Sequence, residues 1–220
     1  QALTEALLRS GAPIGALNTT RKHLSQVKGG QLARLAYPAT TIALIVSDVV
    51  GSPLDVIASG PTVADPTTAA DARAALERFG VWEQAPESIR RHLEAVIAGD
   101  APETPKPGDP AFERVQNVIV ADNALAAEAA RERAEALGFH ATIATTFLEG
   151  EAREVAVALA SIGKEIAAHN RPVKRPACVL FGGETTVTVR GAGKGGRNQE
   201  LALSAALALD GTRDILLASL

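Results

Sequence analysis

Four glycines fall within six residues at Gly191, Gly193, Gly195 and Gly196, inside the stretch GGETTVTVRGAGKGGRNQE that spans residues 182–200. Glycine lets backbone N–H groups approach a ligand closely. The helix expected to follow, over Asn198–Leu209, adds unpaired N–H groups and the positive end of its dipole. Lys194 and Arg197 contribute fixed positive charge, and an arginine can grip phosphate through two bonds. The combination suits a phosphate or a carboxylate. A flexible turn with solvated cations is the competing reading. Gly191, Gly193 and Gly196 also fit G-x-G-x-x-G, but the run before them is half polar, and the acid expected about 20 residues on falls at or past Leu220. Dinucleotide binding is therefore disfavoured, though left open.

A second group of candidates is SDVVGSPLDVIASGPT, residues 47–62. Asp48 follows the apolar run Thr41–Val46, at the carboxyl end of an expected buried strand, where open α/β sheets bind ligands. A carboxylate there could orient a hydroxyl, accept its proton or hold Mg²⁺. It could equally cap the next turn. Asp55 and the turn Ser59-Gly60-Pro61-Thr62 follow. A third group is NTTRKHLSQVKGG, residues 18–30. Helical spacing would put Arg21, Leu24, Ser25 and Lys28 on one face, which could cradle an anion or simply be solvated. His23, His92, His140 and His169 lack companions at ligand spacing, so surface roles are expected. Cys178 reads as a small buried hydrophobe, and Trp82 as cover for the core.

Alternating strands and helices must position these groups. Thr41–Val46 reads as a parallel strand buried on both faces. Val118–Ala121 reads as another, with Asp122 capping a helix over Asn123–Leu137 that Gly138 closes. A strand at Ala141–Ala144, a helix over Glu149–Asn170 and a strand at Ala177–Phe181 follow. This succession implies βαβ units and a layered α/β fold. Glu184–Arg190 alternates polar and apolar residues, as a half-exposed strand would, and Ile215–Leu220 reads as a final strand. Helices are expected over Leu3–Ser10, from Asn18 or Thr19 to Val27, and over Thr67–Phe79 and Pro86–Ala98. Gly99–Pro110, with four prolines, reads as a surface loop. The Arg171–Pro176 break suggests a boundary, with domains at 1–172 and 173–220.

The chain has 220 residues, 22 Lys+Arg against 25 Asp+Glu, and a net charge of −3, with 46% hydrophobic residues. That is globular composition, with no field to attract nucleic acid. No run of about 18 apolar residues offers a membrane span. One cysteine allows no internal disulfide, and a cytoplasmic protein is expected. The absence of Met and the ends at Gln1 and at an apolar run suggest an excerpt of a longer chain.

Together, RKHLSQVKGG (21–30), SDVVGSPLDVIASGPT (47–62), GGETTVTVR (182–190) and GGRNQE (195–200) resemble the glycerate 2-kinase family, whose C-terminal part is the MOFRL domain. The resemblance implies a Rossmann-like layered domain with a parallel sheet plus a second, smaller α/β domain. It implies ATP-dependent phosphorylation of D-glycerate at its 2-hydroxyl, giving 2-phosphoglycerate, with a divalent metal, taken as Mg²⁺, whose ligands stay unassigned. The family also has a Gly-Lys motif upstream and a Gly-Thr-Asp-Gly stretch downstream.

On this reading Asp48, Arg197 and Lys28 are the expected catalytic residues. Arg21, Asp55, Ser59, Gly60, Pro61 and Thr62 are expected to bind substrate or phosphate. So are Gly183, Glu184, Thr185, Gly193, Lys194, Gly195, Gly196, Asn198 and Gln199. Glycerate and a nucleotide are the expected partners, with a homodimer as the expected assembly. A hydroxypyruvate reductase using NAD(P)H and a non-catalytic sugar-acid binding module are the alternatives.

Overall fold

The computed structural model describes residues 2–189, 191 and 193–220. The motif residues Arg190 and Ala192 thus lie outside the described residues. Two compact units are present: residues 1–45 with 52–120, and residues 46–51 with 121–220. The helices are α1 (Ala2–Arg9), α2 (Ile14–Leu24), α3 (Gln31–Ala36), α4 (Ala69–Arg78), α5 (Glu87–Ala98), α6 (Asn123–Ala136), α7 (Ala152–His169) and α8 (Arg197–Ala208). The strands are β1 (Thr41–Val46), β2 (Val115–Ala121), β3 (His140–Leu148) and β4 (Ala177–Gly183). β1 pairs with β2, and β3 with β4. No helix among the described residues is long and apolar enough to cross a membrane.

In the first unit α1, α2, α4 and α5 surround a core that includes Leu7, Leu17, Leu76, Leu93 and the expected cover residue Trp82. α4 starts on a reciprocal cap: Thr68 Oγ1 accepts from Asp71 N–H, and Asp71 accepts from Thr68 N–H. α5 stops at Gly99, whose left-handed φ of 84° lets its N–H reach back to Ala95 and Val96.

A second, charged core lies beside the apolar one. Lys22 Nζ lies 3.3 Å from Asp65 Oδ1, with Lys22 4% and Asp65 0% exposed. Thr67 donates its N–H and its hydroxyl to Asp65 Oδ1, and Thr104 donates its hydroxyl to Oδ2. The Nδ1 of buried His23 meets the Thr19 carbonyl at 2.9 Å, a contact only an N–H can satisfy. Its Nε2 meets Glu103 Oε1 at 3.0 Å. Both ring nitrogens are thus engaged by the protein, and His23 is buried, at 6% exposure. This corrects the surface role expected for it. Adjacent charges in a helix are solvated by default, unless distant carboxylates come to meet them.

In the second unit β3, α7 and β4 form a βαβ unit. The strands run parallel, pairing His140 with Ala177 through to Leu148 with Gly183. Asp122 caps α6 by accepting from Leu125 N–H, as expected. α7 packs on α8 through small residues, with Ala152 and Ala156 against Leu201 and Ala205. Ser204 donates to the Arg153 carbonyl across this contact.

Several expectations change. β1 alternates half-buried and exposed residues, with Ile42, Leu44 and Val46 exposed, because its two-stranded sheet is covered on one face. Glu184–Val189 is irregular: apart from one parallel bridge from Thr186 to Glu151, it pairs with no strand among the described residues. Ile215–Leu220 likewise has strand composition but no ladder among the described residues. α2 ends at Leu24, where Ser25 turns extended, so Ser25 and Lys28 leave the face shared by Arg21 and Leu24.

Two outcomes follow. Burial alone would raise the Asp65 carboxyl, but the Thr67 bonds and the charges of Lys22 and His23 hold it below the usual carboxylate range. Burial would likewise raise Glu103, but N–H groups of Ala69 and Thr104 and the charges of His23 and Lys106 hold it low. Lowered folded-state values stabilise the fold fully above the ordinary carboxylate range, and the contribution is lost as pH falls through them. Thermal melting should thus hold from neutrality to about pH 5 and drop steeply below about pH 4. Glu103→Gln should flatten that drop, and an unchanged profile would show that Glu103 is not linked. Separately, a Cβ at Gly182 would collide with the Asn123 amide. Gly182→Ala should cost about 1–3 kcal/mol in urea unfolding, and a neutral result would contradict the packing.

Candidate functional site

Polar residues collect in the second unit where strands stop. Ser47 N–H donates to the Ala121 carbonyl at 2.9 Å, which holds the ends of β1 and β2 side by side. Asp48 follows one end and Asp122 the other. At the end of β4 the backbone must pass very close to its neighbours. Gly183 has φ 147°, and a Cβ there would collide with the Leu148 backbone. Glu184 N–H then donates to the Leu148 carbonyl at 2.8 Å. Asn123 at the start of α6 donates its amide to the Thr146 carbonyl at 2.9 Å, which fixes the side chain above Gly182.

α8 begins at Gly196, which offers no side chain to cap the first N–H groups. Arg197 is the first helical residue, and its Nη1 lies 2.6 Å from Glu184 Oε1. Both side chains stay accessible, at 47% and 37% exposure. Asn198 accepts from the Ser219 hydroxyl at 3.1 Å.

These ends open on one cavity of about 1220 Å³, lined on its polar side by Asp48, Asp122, Gly183, Glu184, Thr185, Arg197 and Asn198. Its other wall is apolar, with Phe139, Leu159, Ile162, Ile166 and Leu180. Five expected residues, Gly193, Lys194, Gly195, Gly196 and Gln199, are exposed and lie outside this lining. A Cβ at Gly191, Gly193 or Gly196 would meet nothing within 4 Å, so the backbone there is open to an approaching ligand. Among the described residues no group of three His, Cys, Asp or Glu side chains is placed to hold a metal ion.

The remaining candidates belong to the first unit. Ser59 and Thr62 are buried, and each donates its hydroxyl to an asparagine, Asn18 and Asn117 respectively. Lys28 Nζ donates to the Ala58 carbonyl at 2.8 Å. Gly29 and Gly30 N–H groups donate to the carbonyls of Ser59 and Gly60 at 2.9 and 2.7 Å, and Ala33 N–H to that of Pro61 at 3.3 Å. The segment from Lys28 to Ala33 thus satisfies four successive carbonyls of the turn. Asp55 lies 3.7 Å from Lys22, and Arg21 is half-buried on α2. Sequence reasoning missed Lys22 and Asp65, and it took Asp122 only as a cap. The available signal was that Asp122, like Asp48, directly follows an apolar strand.

Residues 1–94 match a domain of unknown function, DUF4147, and residues 177–220 match the MOFRL family. The chain is 51% identical over 203 residues to a glycerate 2-kinase of Pyrococcus horikoshii, covering 92% of this chain and 45% of that protein. It is 48% identical over 219 residues to a D-glycerate 2-kinase of Thermotoga maritima, covering 100% of this chain and 49% of that protein. A crystal structure of glycerate kinase from Thermotoga maritima superposes with a TM-score of 0.81 at 47% identity, covering 97% of this chain and 48% of the other. The chain spans about half the length of the curated relatives it matches. Both the sequence likeness and the shared fold run through nearly all of its residues, and the chain belongs to the glycerate 2-kinase family.

Proposed function

We propose that the protein carrying this chain phosphorylates D-glycerate at its 2-hydroxyl with ATP, giving 2-phosphoglycerate and ADP. The observation that carries this reading is a cavity lined by both Asp48 at a strand end and Arg197 at a helix start. Asp48 accepts the proton of the glycerate 2-hydroxyl as its oxygen attacks the γ-phosphorus. The bond from that phosphorus to the bridging oxygen breaks, and its electron pair leaves on ADP. Arg197 balances the charge on the transferring group or on the glycerate carboxylate, as phosphoryl transfer requires. Glu184 holds the guanidinium through one nitrogen, which leaves the other donors of the fork for the ligand.

The cavity is far larger than glycerate needs, which supports a nucleotide as co-substrate. Mg²⁺ commonly binds through one or two carboxylates together with nucleotide phosphates. Asp48 and Asp122 fit that mode, whereas an all-protein cage does not fit the described residues. When bound, the metal would neutralise phosphate charge. In the first unit Arg21, Lys28 and the Asp55–Thr62 loop form a second binding element. The family division at residues 172 and 173 is part of this proposal, supported by the MOFRL match from residue 177. A homodimer and a cytoplasmic setting belong to it as well.

With ATP and D-glycerate, Arg197→Ala in the full-length protein should lower kcat/KM by about 10²–10³. Asp48→Asn should lower kcat by about 10²–10⁴. ADP release coupled to a dehydrogenase measures both. Values within a few-fold of wild type would refute these roles. NADH oxidation with hydroxypyruvate but no ADP release with glycerate would favour a reductase, and glycerate binding without turnover would favour a binding module.

A further inference from the structure

The loop from Asp55 to Asp65 returns to α2 at both ends, and it returns to one side chain. Lys22 Nζ lies 3.7 Å from Asp55 Oδ2 and 3.3 Å from Asp65 Oδ1. Between these anchors Ala58, Ser59 and Gly60 all have positive φ, at 52°, 62° and 61°. A non-glycine residue enters that region only against a clash between its Cβ and the following carbonyl oxygen. It stays there only when its surroundings leave no alternative.

Two sets of contacts impose the conformation. The first is the row of carbonyls: Ala58 to Lys28 Nζ, Ser59 to Gly29 N–H and Gly60 to Gly30 N–H. The second is the ammonium of Lys22 at the loop's two ends. Gly29 joins them, because a Cβ there would lie 3.0 Å from Lys22 Cβ and 3.2 Å from Asp65 Oδ2. Any side chain at Gly29 would push the row of donors off the clasp. A Cβ at Gly60 would likewise lie 3.0 Å from Asp55 Cα. The clasp and the turn therefore cannot shift independently.

We propose that Lys22 is a positioning residue for the kinase reaction. Its buried ammonium clasps Asp55 and Asp65 and holds the left-handed turn at Ala58–Gly60 in its binding shape, without touching substrate. The role rests on reading the Asp55–Thr62 loop as part of the substrate-binding machinery. It also assigns Asp55 to Lys22 rather than to the ligand. The two arms differ: Asp65 is fully buried, whereas the Asp55 side chain is 38% exposed.

Amide hydrogen exchange on the full-length protein, read beside steady-state kinetics, tests this. In Lys22→Met the amides of Gly29, Gly30, Ser59 and Gly60 should exchange at least tenfold faster, with those of α7 unchanged. The KM for D-glycerate or for ATP should rise at least tenfold, with kcat within threefold. Asp55→Asn leaves the buried Lys22–Asp65 pair intact and should move the same readouts in the same direction, less far. It gives the answer should Lys22→Met fail to fold. Unchanged exchange at the four amides would overturn the clasp. Faster exchange with both KM values unchanged would overturn its role in the reaction. A wild-type protein without glycerate kinase activity whose variant still loosens at these amides would overturn the proposed activity and leave the clasp supported.

Discussion

Apolar strands that stop together force their polar successors together, and the second unit's cavity is built on that constraint. β3 and β4 run parallel, so their carboxyl ends meet at one edge. The Ser47 N–H to Ala121 carbonyl bond does the same for the ends of β1 and β2. Backbone at such an edge has lost its ladder and must find other partners. Glu184 N–H finds the Leu148 carbonyl, and Asn123 finds Thr146. Glycine at 182 and 183 lets these partners come close enough. Asp48, Asp122 and Glu184 are carboxylates left at these strand ends; Asp214 also lines the cavity, and Arg197 and Arg175 are its cations.

The first unit solves a different problem. Charges removed from water are costly unless they are paired and hydrogen-bonded. Lys22 and His23 enter its interior on α2 and meet Asp65 and Glu103, whose remaining lone pairs accept from Thr67, Thr104 and Ala69. Lys106 closes the network on Thr104 and on the Thr67 carbonyl. Breaking one member leaves another buried and unpaired. Such a network restricts the turn at Ala58–Gly60 to one shape, which apolar packing alone would specify less tightly.

Most of the element order was legible in the sequence, because local signals sufficed. The β-branched run at Thr41–Val46 gives β1 at its expected limits, and Asp122 with Gly138 brackets α6. That Asp48 and Arg197 line one cavity also follows from local features, a strand end and a helix start. Regions that depend on distant partners were not. Glu184–Val189 alternates like a strand but has no ladder among the described residues, and strand pattern without a neighbour is only composition. Lys22 reads as a solvated helix charge, because Asp65 lies 43 residues away and nothing near it announces the pairing. Ser59 and Thr62 carry hydroxyls suited to a ligand, yet Asn18 and Asn117 already accept their protons.

The central claim is that Asp48 and Arg197 act on one substrate in one cavity. A crystal structure of the full-length protein with D-glycerate, ADP, Mg²⁺ and a fluoride mimic of the transferring phosphoryl group tests it most directly. The account predicts the Asp48 carboxylate within hydrogen-bond reach of the glycerate 2-hydroxyl, and the Arg197 guanidinium on the mimic or on the glycerate carboxylate. Glycerate bound with its 2-hydroxyl away from Asp48 and no ligand atom on Arg197 would contradict it.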